Sequence, residues 1–83
     1  MAKTYLLKSD ETMDRIFTQI VGIRKYAKKS QAEVSKALGI SQQGYQDIES
    51  RKSMSLKQFL EVCEELGVDP AEIVWNATNG GRR

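Results

Sequence analysis

Ser30 to Lys52, SQAEVSKALGISQQGYQDIESRK, reads as two short helices joined by a tight turn. Ser30 with Glu33 three residues on is a capping box, which opens a helix by satisfying its orphan backbone donors reciprocally. Val34, Ala37 and Leu38 fall on the inward face of that helix. Gly39 stands where the chain must turn left-handed, a conformation without steric cost for glycine. Ile40 returns to the core, and Ser41 caps a second helix from Gln42 to about Ser50. The second helix opens with Gln42 and Gln43, and Gln46 lies one turn on. A Gln amide both donates and accepts, so it matches one adenine edge in the DNA major groove. A helix-turn-helix with amides at the start of its second helix predicts an element that reads duplex DNA.

Helical punctuation continues on both sides. Before Ser30, Met13, Ile16, Ile20 and Ile23 recur at spacings of three and four, which predicts a helix from about Asp10 to Ala27. Ser9 or Asp10 can cap it, and Arg24, Lys25, Lys28 and Lys29 suit its negative end. Gly22 inside it implies either a close neighbour or a weak helix. After Lys52, Ser55 and Gln58 form a second capping box. Leu56, Phe59, Leu60, Cys63 and Leu66 make the apolar stripe of a fourth helix, which Gly67 ends. Asp69-Pro70-Ala71-Glu72 opens a fifth, with a cap, a proline in the first turn and an acid. The expectation is an all-α chain of five helices in a single domain, residues 1–83. Residues 1–9 form an arm, 10–75 the helical core, and 76–83, with Asn79-Gly80-Gly81, a frayed tail.

Composition narrows the function. Eighty-three residues hold one core, and 40% hydrophobic with 29% charged is ordinary for a globular fold. No apolar run approaches the ~18 residues of a membrane span. The start, MAKTYLLKSD, is too quickly polar for a secretory signal, so the expected compartment is the cytoplasm. With no His and one Cys, Cys63, no metal site and no Cys–His or Ser–His nucleophile can be assembled. No catalytic residue, metal or cofactor is expected, and Glu61, Glu64 and Glu65 read as a solvated face. Net charge is only +2, but it is unevenly spread. Between Arg24 and Lys57 stand eight basic residues and three acids, whereas Leu60 to Arg83 holds two and five. Such a division suits one face turned to phosphate.

The matching positions Ile20, Ile23, Arg24, Ser30-Gln31, Val34, Leu38-Gly39-Ile40-Ser41, Ile48-Glu49 and LKQFLEVCEELGV from Leu56 to Val68 resemble the Cro/phage-repressor (Xre-type) helix-turn-helix family. The resemblance covers about residues 16–75 and implies a compact five-helix bundle of the lambda-repressor-like type. It implies that Gln31 contacts the DNA backbone, that Arg24 and Glu49 form a structural ion pair, and that a partner surface lies near helices 4 and 5. Val74 and Trp75 are the candidates for that homodimer interface. The competing reading folds Trp75 back against Phe17 or Val21. Tyr5-Leu6-Leu7 is a second apolar patch. The chain departs from the family at Lys29, commonly apolar, at Ser35, commonly Ala, at Tyr45, commonly a smaller aliphatic residue, and at Arg51, where the turn commonly carries Gly.

Position in the motif distributes the remaining roles. Gln42, Gln43 and Gln46 are the candidate base contacts. Asp47 joins them, because it can accept from cytosine N4 or exclude other bases by repulsion. Gly44 leaves room for close approach to backbone or a thymine methyl. Arg51, Lys52 and Ser53, where the chain leaves the groove, are candidate phosphate contacts with Gln31, Ser41 and Lys36. Tyr45 and Ile48 are assigned to the core, with a Tyr45 hydroxyl turned to a phosphate as the competing reading. One short helix reads only a few base pairs, so a two-fold dimer is expected. The implied function is a transcriptional regulator, a repressor on a palindromic double-stranded operator. A restriction–modification controller has the same fold, and an antitoxin would add a toxin protein as partner.

Overall fold

Side-chain caps set four of the five α-helix starts in the computed structural model, which describes residues 9–80, with side chains through Thr78; the first helix already includes Ser9 and Asp10, the residues expected to cap it. The chain runs α1 (Ser9–Tyr26), α2 (Gln31–Leu38), α3 (Gln42–Arg51), α4 (Leu56–Leu66) and α5 (Pro70–Trp75), then a π-helical turn (Asn76–Gly80). Among the described residues there is no strand. Tyr5-Leu6-Leu7 lies outside the described residues.

Ser30 Oγ accepts from Glu33 N at 3.0 Å while Glu33 Oε1 accepts from Ser30 N at 2.8 Å. Ser55 and Gln58 repeat the box, at 3.1 and 3.0 Å. Each such cap contributes about 1 kcal/mol. Gly39 and Gly67 end α2 and α4 with φ of 72° and 71°. The other two left-handed positions are lysines, Lys28 and Lys52, at 60° and 56°. The glycine usual after helix 3 in the family is therefore replaced at Lys52, not Arg51, and α1 and α3 both end on a less favourable residue.

The core gathers Ile16, Phe17 and Ile20 of α1, Val34 of α2, Tyr45 of α3, Phe59, Val62 and Cys63 of α4, Ile73 of α5 and Ala77. Helical periodicity identifies most of these positions, but it misses Val62 and marks three residues that the fold leaves exposed. Ala37 is exposed, because the buried arc of α2 runs through Val34, Ser35 and Leu38. Leu56 and Leu60 are 72% and 47% exposed, whereas Val62, between the expected stripe positions, is fully buried. The inward arc of α4 is Phe59, Val62, Cys63 and Leu66. Leu60 lies roughly 100° round from Phe59, and Leu56 lines an open groove with Met13, Phe17 and Val74. The helical core also passes Trp75: residues 76–80, read from composition as tail, form the π-helical turn, and Ala77 is fully buried.

Gln19 joins α1 to α5 and the π-helical turn. Its Nε2 donates to Ile73 O at 2.8 Å and its Oε1 accepts from Asn76 Nδ2 at 3.2 Å. Lys29, commonly apolar in the family, meets Glu65 of α4 at 2.9 Å instead. The hydrogen bond and charge of Glu65 push the Lys29 ammonium pKa above its usual value. Ser35 is buried but satisfied, its hydroxyl donating to Ala32 O at 2.8 Å.

Candidate nucleic-acid interface

Tyr45 seats α3. It is fully buried, and its partner positions Ile48 and Glu49 turn the same side of α3 inward. Residues three and four apart share a helix face, so the opposite arc presents Gln43, Gln46, Asp47 and Ser50. Gln43, Gln46 and Ser50 are exposed and Asp47 is half-buried. Gln42 is exposed on the edge of this arc nearer Glu49. Ser50 was not singled out from the motif, although the same spacing, carried one turn beyond Gln43 and Gln46, reaches it.

The arc is not a row of independent side chains. Gln43 Nε2 donates to Asp47 Oδ1 at 3.0 Å, one turn along the helix. Ser41 caps α3 by accepting from Gly44 N at 2.9 Å, and its own O–H is still able to donate. Gly44 has a local reason to be glycine: a Cβ there would lie 3.1 Å from Ser41 Oγ. Room for the cap thus accounts for the missing side chain without invoking a base.

Behind the arc, a polar network ties α3 to α1 and α2. Arg24 Nε and Nη2 donate to the two oxygens of Glu49 at 2.8 and 3.1 Å, and Arg24 Nη1 donates to Lys29 O at 2.9 Å. Both side chains of the pair are more than nine-tenths buried. Gln31 Nε2 donates to Glu49 Oε1 at 2.9 Å, so part of the Gln31 amide faces α3 rather than solvent. Burial alone would raise the Glu49 carboxyl. The hydrogen bonds from Arg24 and Gln31 outweigh it and hold the pKa below the usual 4.5. The Tyr45 hydroxyl is enclosed beside this pair, next to Glu49 and Arg24 but in good hydrogen-bond geometry with neither. Burial, then the Glu49 carboxylate, drive its pKa up.

The candidate phosphate residues separate into groups. Arg51 and Ser53 are exposed at the end of α3. Lys52 is also exposed, but its ammonium is paired with the Asp14 carboxylate of α1. Lys36 lies apart from α3, beside Glu33, Ala37 and Glu65. Three of the basic residues counted between Arg24 and Lys57 are thus paired within the fold, namely Arg24, Lys29 and Lys52. Lys25, Lys28, Lys36, Arg51 and Lys57 are exposed. Trp75 does not fold back onto the core: it is 60% exposed, and Val74 beside it 39%.

No helix among the described residues is long and apolar enough to cross a membrane. Comparison with curated proteins and with solved structures returned no match. The helix-turn-helix family of Cro/C1 type matches residues 23–73, which spans the end of α1 through the middle of α5. Over that span the capped helix pair, the left-handed turn at Gly39 and the outward arc of α3 are all present, and the chain belongs to this Xre-like family of DNA-binding transcription regulators.

Proposed function

We propose that the protein is a repressor that binds a palindromic operator in the cytoplasm as a two-fold homodimer. The observation that carries the reading is the outward arc of α3, where Gln42, Gln43, Gln46 and Asp47 stand together at the first turns of a rigidly capped helix. These side chains read base edges. Gln31, Ser41, Arg51 and Ser53 border them and hold the sugar-phosphate backbone, with Lys52 joining when it leaves Asp14. Lys36 is the weakest member of that set, since acids surround it. Exposed Leu60, Val74 and Trp75 supply an apolar surface for a second copy. Pairing there sets two recognition helices about 34 Å apart, one DNA turn.

Two measurements test the parts separately. In-vitro selection from a random duplex pool should yield a palindrome, and Gln43→Ala should cost about 1–3 kcal/mol on it while relaxing one base position per half-site. Equal loss on every sequence would remove Gln43 from base reading. Analytical ultracentrifugation should show a dimer that Trp75→Ala weakens. A wild type that stays monomeric on a single half-site would sink the dimer, and a folded Trp75→Ala that dimerises normally would move the interface elsewhere.

A further inference from the structure

We propose that Gln43 and Asp47 act as one reading unit that selects a base carrying an exposed amino group, cytosine or adenine, and rejects guanine. The inference rests on the DNA-reading assignment of α3 and deepens it. A lone Gln amide is ambivalent, since rotation by half a turn exchanges its donor and acceptor ends. Here the Nε2 end is committed to Asp47 Oδ1 at 3.0 Å, so the amide is held in one sense, with its carbonyl oxygen turned away from that bond. Asp47 is an acceptor only. Among the described residues no cation pairs with it, although Arg51 stands one turn on. The surface the two residues share therefore offers the Gln43 carbonyl and the remaining carboxylate lone pairs, with at most one amide N–H left over.

Base edges in the major groove sort cleanly against such a surface. Cytosine N4 and adenine N6 donate, whereas guanine presents N7 and O6, both acceptors. A guanine facing the pair would set acceptor against acceptor and leave the carboxylate lone pairs that Gln43 does not engage desolvated without a donor. Discrimination here comes as much from repulsion as from attraction. Asp47 thus determines specificity in two ways, by orienting Gln43 and by excluding guanine itself.

The test is selection of bound duplexes from a random pool by the full chain, run in parallel with Asp47→Asn and Gln43→Ala. Asn keeps the size of Asp47, removes its charge and adds a donor. Removing a negative charge raises affinity for all DNA, so the readout is the ratio of base frequencies at each position. Wild type should enrich cytosine or adenine over guanine at one position per half-site by about tenfold or more, within the range of a single base-edge contact. Asp47→Asn should admit guanine at that same position, and Gln43→Ala should broaden it. An unchanged wild-type motif in Asp47→Asn would overturn the inference while leaving DNA reading by α3 intact. So would a wild type that prefers guanine opposite the pair. A wild type that enriches no motif would overturn the inference and the reading beneath it together.

Discussion

Two buried polar residues of α3, Glu49 and Tyr45, make opposite demands. Glu49 is fully engaged by Arg24 and Gln31. Its carboxyl is more acidic folded than unfolded, so it stabilises the fold above the unfolded pKa, and that contribution is lost as pH falls through the lower folded value. Glu33, held low mainly by the Ser30 backbone N–H, adds to the same trend. Urea titrations should therefore show stability declining below about pH 4.5. Glu49→Gln should cost on the order of 3 kcal/mol at neutral pH, by leaving the Arg24 charge buried with a poorer partner, and should flatten that decline. An acid profile identical to wild type would contradict the assignment. Tyr45 presents the reverse case, a buried hydroxyl that lies beside Glu49 and Arg24 without a well-formed hydrogen bond to either. Tyr45→Phe keeps the ring and removes the buried hydroxyl, so the stability read from urea titration should stay or rise by up to about 1–3 kcal/mol. A clear loss would mean that the hydroxyl bonds to Glu49 or Arg24 in solution.

At the scale of the helix, glycine has two different meanings in this chain. Gly22 lies inside α1 with helical backbone, and a Cβ there would meet nothing within 4 Å. No close neighbour needs it, which leaves the weak-helix reading. Gly39 also has open space round its Cβ, but its φ of +72° is what lets α2 end and α3 begin. Gly22→Ala should raise thermal stability by up to about 1 kcal/mol, whereas Gly39→Ala should lower it by about the same amount. Calorimetry on the two variants checks the signs. A destabilising Gly22→Ala would indicate that another molecule packs against that stretch of α1. The caps of α2, α4 and α5 were legible because each uses a short local signal: Ser with Glu, Ser with Gln, Asp with Pro. The ends of α1 and α3 were less so, because lysine carries no left-handed signature and only the surrounding fold places Lys28 and Lys52 there.

Across the whole molecule, long-range pairing decides which charges face outward. Asp14 belongs to the part of α1 that precedes the family match, yet it pairs with Lys52 at the end of α3. A phosphate reaching Lys52 must displace Asp14. Asp14→Asn should then raise affinity for specific and non-specific DNA alike and steepen the salt dependence by about one unit of slope. Binding isotherms at several salt concentrations would show it. An unchanged slope in Asp14→Asn, together with an unchanged slope in Lys52→Gln, would mean that Lys52 makes no phosphate contact. The pair is half exposed, so its value to folding is small and its effect on binding is the informative one.

The order of helices, the N-terminal caps of α2 to α5, the turn at Gly39 and the position of the amides on α3 were all determined by the sequence alone. Each depends on residues within about one helical turn of one another, and backbone sterics and capping act at that range. What only the tertiary structure decided is the use made of side chains. Periodicity marks Leu60 as core and passes over Val62, and the fold exposes the first and buries the second, because neighbouring helices cover only one arc of α4. Beyond the Arg24–Glu49 pair that the family resemblance implies, the basic stretch reads as a phosphate surface until Lys29 and Lys52 are seen to find Glu65 and Asp14, partners 36 and 38 positions away. Ala77 looks like tail until Gln19 and Asn76 hold the end of the chain against α1. Burial and charge pairing depend on which surfaces meet, and residues far apart in the chain meet only once the helices have packed.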